Sequence, residues 1–264
     1  MDQVLGNVFT SVLGIKDTLE TSIGDIKTLV HEGEAAHRDE IEFLIFAARR
    51  APLSSASRLQ DLWVLFERGE KRNGYFVEFG GSGDGAGRNT LLLEKFYGWS
   101  GAIAEPARSR QETLRAHRDC YITDKFIYKD DGLKILFSDA DRSQDAATGV
   151  SAGADPAGRV RRAGKRYEVE TLSLRGFLQA ADAPRVIDYL SIGIEDDSLD
   201  VLQHFEFSEY DVKLLSIAAG DPDQGREVRE FMTQKGYVSR FKTFSASEDW
   251  YVNVDSASAS SASV

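Results

Sequence analysis

The chain has 264 residues, enough to bury one sizeable core and carry an appendage. Apolar and aromatic residues make up 42% and charged residues 28%, which argues against wholesale disorder, while a net charge of −11 argues against a phosphate-binding surface for nucleic acid. A single cysteine, Cys120, rules out an internal disulfide. No stretch approaches the roughly 20 apolar residues of a membrane span. The first residues lack a basic start and a cleavage pattern, so the expectation is a soluble, cytoplasmic protein.

From the N-terminus, Leu5, Val8, Val12, Ile15, Leu19, Ser22, Ile26 and Leu29 alternate spacings of three and four, and seven of these eight are apolar. That pattern predicts one seam along a helix and a left-handed coiled coil. Gly6, Gly14, Gly24 and Gly33 each cost about 1 kcal/mol of helix propensity relative to alanine. The segment therefore needs a packing partner. Residues 1–52 are read as a helical oligomerisation arm that makes the protein a homo-oligomer. A helix lying on the chain's own domain is the alternative, and membrane-surface binding is disfavoured by the missing basic face. Arg38 to Arg50 forms a second helical stretch ended by Pro52, and Ser57 to Phe66 a third.

Residues 53–254 read as one domain. Its first strand, Tyr75-Phe-Val, ends in Glu78 and enters the glycine-dense stretch Gly80-Gly-Ser-Gly-Asp-Gly-Ala-Gly87, which leads into the helical Asn89-Thr-Leu-Leu-Leu-Glu-Lys95. Glycines let a backbone reach positive φ and approach a ligand closely, and a helix start offers free N–H groups. A second apolar strand ends in Glu105-Pro106, 27 residues after Glu78, which is the length of one strand–helix–strand unit. An acid at that place accepts hydrogen bonds from ribose hydroxyls. Neither Gly-x-Gly-x-x-Gly nor Gly-Lys-Ser/Thr occurs here, which argues against NAD and NTP.

A third apolar stretch, Cys120-Tyr-Ile-Thr, precedes Asp124. Residues 139–164 are rich in Asp, Ala, Gly and Ser and read as a flexible loop over the substrate side. The basic run Arg159 to Arg166 at its end reads as solvated, or as a clamp for an anionic substrate. Val186 to Ile194 is almost continuously apolar, as a parallel strand covered on both faces must be, and Glu195 follows it. Glu195 can orient a ligand or serve as the first acid of the next helix. The four histidines (His31, His37, His117 and His204) have no metal-ligand spacing, and no metal site is expected. Residues 255–264 are a Ser/Ala tail expected to be disordered.

Several blocks in register, Gly74-Tyr-Phe-Val-Glu-Phe-Gly, Asn89-Thr-Leu-Leu-Leu-Glu-Lys, Gly98-Trp-Ser-Gly, Ala104-Glu-Pro106, Val186-Ile-Asp-Tyr-Leu-Ser-Ile192 and Asp249-Trp-Tyr-Val-Asn253, resemble the FkbM-type methyltransferases. The resemblance runs in order from about Ser57 to Asn253. It implies an α/β fold of class I methyltransferase type, a doubly wound, mostly parallel Rossmann-like sheet. S-adenosylmethionine would be the cofactor, and the reaction O-methylation of a small molecule or saccharide. It places Glu78, Gly80, Ser82 and Asp84 along the methionine side, Asn89 and Thr90 beneath the cofactor, Glu105 with Pro106 at the ribose, and Asp124 near the adenine. Glu195 is the acid it leaves for a catalytic role.

The chain departs from that pattern in places. Gly83 stands where the family loop has Asp, Gly193 where it has the Asp of Ser-Ile-Asp, and Ala218 and Ala219 fall where polar side chains are expected. A positioned general base contributes typically 10²–10⁴-fold, so these changes leave a second reading open. In it the domain binds the cofactor without turning it over and works as a scaffold through its oligomeric arm.

Overall fold

The computed structural model describes residues 38–80, 88–139, 165–194, 197–218, 220, 222–245 and 248–254. The chain divides into two compact units, Met1–Ala51 and Pro52–Val264. The heptad segment and the Ser/Ala tail lie outside the described residues. In the first unit the described element is α1 (Arg38–Arg50), which carries Asp39 and Glu40 in its first turn and Arg49 and Arg50 in its last. That distribution of charge complements the helix dipole.

The second unit begins with α2 (Gln60–Glu67), three residues later than the apolar pattern suggested. Leu59 takes a left-handed φ of 60°, which no helix can continue through, so the helix starts after it. Then follow β1 (Tyr75–Phe79), α3 (Arg88–Tyr97), β2 (Ser100–Ala104), α4 (Arg108–His117) and β3 (Tyr121–Thr123). A second group comprises β4 (Phe126–Tyr128), β5 (Lys134–Asp139) and β6 (Lys165–Ser173). The chain returns through α5 (Leu174–Ala180), β7 (Val186–Ile192), α6 (Ser198–Gln203), β8 (Asp211–Ala218) and α7 (Pro222–Gln234). It ends with β9 (Tyr237–Arg240), the short α8 (Lys242–Ser245) and β10 (Glu248–Asn253).

Seven strands form one sheet in the order β3-β2-β1-β7-β8-β10-β9. The pairs β3/β2, β2/β1, β1/β7 and β7/β8 are parallel, while β10 runs antiparallel to both β8 and β9. The architecture is α/β with a mostly parallel central sheet, compatible with a Rossmann-like fold. The order reverses between β1 and β7, and in such sheets that reversal opens a crevice beyond the carboxyl ends of the strands.

Period-two alternation sorts the strand residues onto two faces. Tyr75, Val77 and Phe79 join Leu190, Ile192, Leu215 and Ile217 in one core, packed with Phe177 of α5, Val201 of α6 and Met232 of α7. Phe76 and Glu78 belong to the opposite face, together with Trp250, whose ring stacks on Trp63 of α2 at 5.0 Å. At the other end of the strands, the buried Asp188 accepts hydrogen bonds from Arg68 (2.9 Å), Lys71 (2.7 Å) and the Tyr75 amide (3.0 Å). It ties the segment after α2 to the start of β1.

The second sheet, in the order β4-β6-β5, is a departure from the sequence reading, which placed no strand next to residues 139–164. Asp139 is the last residue of β5, and it pairs with Lys165 at the start of β6. The loop reading therefore loses Asp139, and residues 140–164 lie outside the described residues. Of the basic run, Lys165 and Arg166 belong to a strand. The third apolar stretch also begins one residue late: Cys120 precedes β3 and is only half-buried.

Candidate ligand-binding site

Gly80 follows β1 directly with φ +74°, a conformation that glycine adopts at no steric cost. A Cβ on it would lie 2.5 Å from Ile194 Cγ2 and 2.7 Å from the Ile194 amide nitrogen. The Gly193 amide donates to the Phe79 carbonyl at 2.8 Å, which extends the β1/β7 pairing one step past the strands. The tips of these two strands are thus closed onto each other by backbone contact.

At the tip of β2, Glu105 is buried. One carboxylate oxygen accepts from the Ala107 amide at 2.8 Å, and the other faces the Arg110 guanidinium at 3.5 Å. Pro106 stops β2 from continuing, and α4 starts two residues later. Gly80, Glu105, Pro106, Arg110 and Ile194 line one crevice with the apolar walls Phe79, Ile127 and Phe137. The crevice is narrow, about 20 Å³, which is room for about one water. A nucleoside enters it only if the walls move apart. Pro106 also borders a second, wider groove of about 290 Å³, lined by Asp124, Lys125, Lys134, Glu168 and Glu170. Its charges are partly spent on each other, as in the Lys125–Glu170 pair at 2.7 Å.

The structure therefore brings Gly80, Glu105 and Pro106 to one crevice and sets Asp124 on the groove beside it. Glu78 lies elsewhere: it is buried under the first turn of α3, where its carboxylate accepts from the Thr90 hydroxyl at 2.7 Å. Asn89 reaches across to Ser191 of β7, donating from Nδ2 at 3.1 Å. Ser82, Asp84 and Glu195 lie outside the described residues. His204 follows α6, is exposed, and has Nδ1 2.8 Å from the Asp200 carbonyl of its own helix. Burial pushes the Cys120 thiol up to about 12, which holds it as an unreactive thiol at neutral pH. Among the described residues no group of three or more His, Cys, Asp and Glu side chains converges as a metal site.

The residues that sequence reasoning missed tie the second sheet to this site. The Asp139 carboxylate accepts from the Ser109 amide (3.0 Å) and hydroxyl (2.7 Å) and from the Tyr167 hydroxyl (2.9 Å). The Tyr167 oxygen accepts from the Arg108 amide at 2.8 Å, and the Arg108 guanidinium lies 4.1 Å from the Tyr167 ring centre. Asp139 and Tyr167 thus satisfy two N–H groups at the start of α4 that the helix itself leaves open. Only the contiguous acid and tyrosine in the folded hairpin carry this signal, because Asp139 and Ser109 are 30 residues apart.

Partial burial pushes the Asp139 carboxyl up, but the hydrogen bonds from Ser109 and Tyr167 outweigh it and hold the carboxyl below its usual range. A carboxyl lowered in this way stabilises the fold above its ordinary value, about 3.9, and that contribution is lost as pH falls through the lower folded value. The protection of the Arg108 and Ser109 amides, measured as exchange relative to the intrinsic rate at each pH, is therefore expected to fall in acid. Asp139→Ala should abolish that acid step, and an unchanged pH profile in the variant would mean that Asp139 does not hold the start of α4.

No protein-family model matches the chain, and no curated protein matches its sequence. Among the described residues no helix is long and apolar enough to cross a membrane.

Proposed function

We propose that the second unit is an S-adenosylmethionine-dependent O-methyltransferase domain acting on a hydroxyl of a small molecule or saccharide. The observation that carries this reading is the convergence of Gly80, at the tip of β1, with the buried Glu105, at the tip of β2, on one crevice beside the point where strand order reverses. The topology sets the sheet apart from a dinucleotide-binding one, which is ordered 3-2-1-4-5-6. Here a reversed strand, β10, is inserted between β8 and β9.

The donor chemistry suits an adenosyl ligand once the walls part: a glycine whose bare Cα lets the tips of β1 and β7 close as the crevice floor, a carboxylate for ribose hydroxyls, and Asp124 beyond Pro106. Gly80, Glu105, Pro106 and Asp124 would hold it, with the apolar walls of Phe79 and Ile127 excluding water. Bound there, the cofactor supplies an activated methyl group for transfer to an oxygen nucleophile. The protein's contribution is to align the acceptor, since orientation alone can supply much of such a barrier.

Calorimetry with S-adenosylhomocysteine tests the cofactor, and a turnover assay over hydroxylated acceptors tests the chemistry. Glu105→Ala is expected to weaken S-adenosylhomocysteine by about 1–3 kcal/mol, roughly 5- to 150-fold. Glu105→Gln keeps an acceptor for the Ala107 amide and separates ligand contact from loss of fold. Wild-type affinity in Glu105→Ala would refute the ribose assignment.

A second reading is favoured by one observation: the tips of β7 and β8 present Gly193 and Ala218, where neither supplies an acid or base. In that reading the domain holds the cofactor and acts as a scaffold. Tight binding with no product formed from any acceptor would support it.

A further inference from the structure

We propose that Thr90 is a positioning residue, oriented by Arg118, that fixes the Glu78 carboxylate at the tip of β1 to the first turn of α3. Arg118 is buried, and its guanidinium spans two partners: Nε donates to Glu94, and an amino group donates to the Thr90 hydroxyl oxygen at 2.9 Å. Glu94 in turn accepts from the Asp119 amide at 2.5 Å, and the guanidinium carbon sits 5.2 Å from the Phe76 ring centre.

A guanidinium has donors and no acceptor, so in the Arg118–Thr90 bond the threonine oxygen must accept. Its one hydrogen is then left for Glu78 Oε2 at 2.7 Å, and an ionised carboxylate can only accept. With Glu78 ionised, the direction of each proton from Arg118 through Thr90 to Glu78 is set by chemistry, and charge at both ends makes these bonds the stronger kind. Low exposure also protects them from competition by water: Thr90 is fully buried, Glu78 is 2% exposed and Arg118 6%.

The consequence is mechanical. Glu78 precedes Gly80 by two residues, and Thr90 is the third residue of α3. Tying them fixes the strand that carries the crevice glycine to the helix that follows it. Asn89 adds a parallel tie to Ser191 of β7, so the start of α3 is pinned to both strands at the reversal point. Because no binding energy is then spent ordering these elements, affinity rises through preorganisation.

The test uses the full chain and three variants: Thr90→Ser, Thr90→Val and Arg118→Lys. Crystal structures read the carboxylate directly. In wild type and Thr90→Ser, Glu78 should lie within hydrogen-bond distance of residue 90. In Thr90→Val, which keeps the shape and loses the hydroxyl, the carboxylate should swing away. Arg118→Lys keeps the charge but gives up the fork spanning Glu94 and Thr90, and should also loosen Glu78. An unmoved Glu78 in Thr90→Val overturns the proposal, and an unmoved Glu78 in Arg118→Lys removes Arg118 from it.

The affinity arm rests on the proposed cofactor. Thr90→Val should weaken S-adenosylhomocysteine about tenfold, while Thr90→Ser stays within about twofold, by the usual worth of a charge-assisted bond. Weakening in Thr90→Ser as large as in Thr90→Val would mean that the hydroxyl alone does not carry the effect, and weakening in Thr90→Ser with none in Thr90→Val would mean that only the methyl packing matters; either result overturns the proposal. If wild type binds no S-adenosylhomocysteine, the cofactor reading fails, and the carboxylate position still decides the role of Thr90.

Discussion

Gly80→Ala should lower the stability of the second unit by about 2–5 kcal/mol: a left-handed alanine costs roughly 1–2 kcal/mol, and forcing a methyl into closed packing typically adds 1–3. The contacts leave little room for relief. The new Cβ meets not only the flexible Ile194 side chain at 2.5 Å but also backbone, at the Ile194 nitrogen (2.7 Å) and the Gly193 carbonyl carbon (2.9 Å). Backbone can retreat only by opening the Gly193–Phe79 hydrogen bond that joins the tips of β1 and β7. For a unit of this size the loss corresponds to a fall in melting temperature of roughly 5–15 °C. Scanning calorimetry measures it. A fall below about 2 °C would mean that the two strand tips are not closed as described. The same substitution narrows the crevice from below, so ligand affinity should fall even under conditions where the variant remains folded.

The second large effect is expected at Asp61, in the first turn of α2. Its carboxylate is fully buried and accepts from the Ser54 hydroxyl (2.6 Å) and from the amides of Ser55 (2.9 Å), Ala56 (3.3 Å) and Leu62 (2.8 Å). Ser55 and Ala56 lie in the turn before α2 and Leu62 in its first turn, where amides lack an intrahelical acceptor, so one side chain satisfies the whole segment. Asp61→Ala leaves the buried Ala56 and Leu62 amides and the half-buried Ser54 and Ser55 donors without this acceptor, each buried one costing about 1–3 kcal/mol when orphaned, and the net loss should be about 3–4 kcal/mol after partial rehydration. The damage should spread beyond the turn, because the Ser55 hydroxyl donates to the Arg88 carbonyl at 2.8 Å, at the start of α3. Urea denaturation measures the loss. Asp61→Asn, which keeps one acceptor oxygen, should recover part of it, and an alanine variant within about 1 kcal/mol of wild type would refute the bracing role.

Local pattern was enough to show the strands that form the middle of the sheet. The apolar runs Tyr75 to Val77 and Val186 to Ile194 mark them, and burial on both faces leaves them no other pattern, although the first strand runs on to Phe79 and the second stops at Ile192, before Gly193. Arg38–Arg50 was equally plain, because Pro52 stops it. The small sheet was not legible. Its strands β5 and β6 are separated by the glycine- and alanine-rich stretch 140–164, and only two of the six residues of β5 are buried, so neither shows a distinct apolar signature. Pairing between distant segments settles their structure, and one sequence does not display pairing.

The candidate site divides the same way. Gly80, Glu105 and Pro106 sit at strand ends, and their placement follows from where the strands stop. Glu78 has the same kind of position, yet its side chain faces α3, because alternation along β1 sends it to the face opposite Phe79. Arg118 and Glu94 gave no sign in the sequence. A cation just past α4 and an acid inside α3 have the pattern of solvated surface until the fold buries them together.

The reversed strand β10 bears on how the molecule is made. It lies between β8 and β9, yet it is the last of the three to be synthesised. Until residues 248–253 leave the ribosome, β8 keeps an open edge, β9 has no neighbour, and the Trp63 indole lacks the ring that stacks on it. A nascent chain arrested a few codons short of that strand carries the hazards of an unprotected edge.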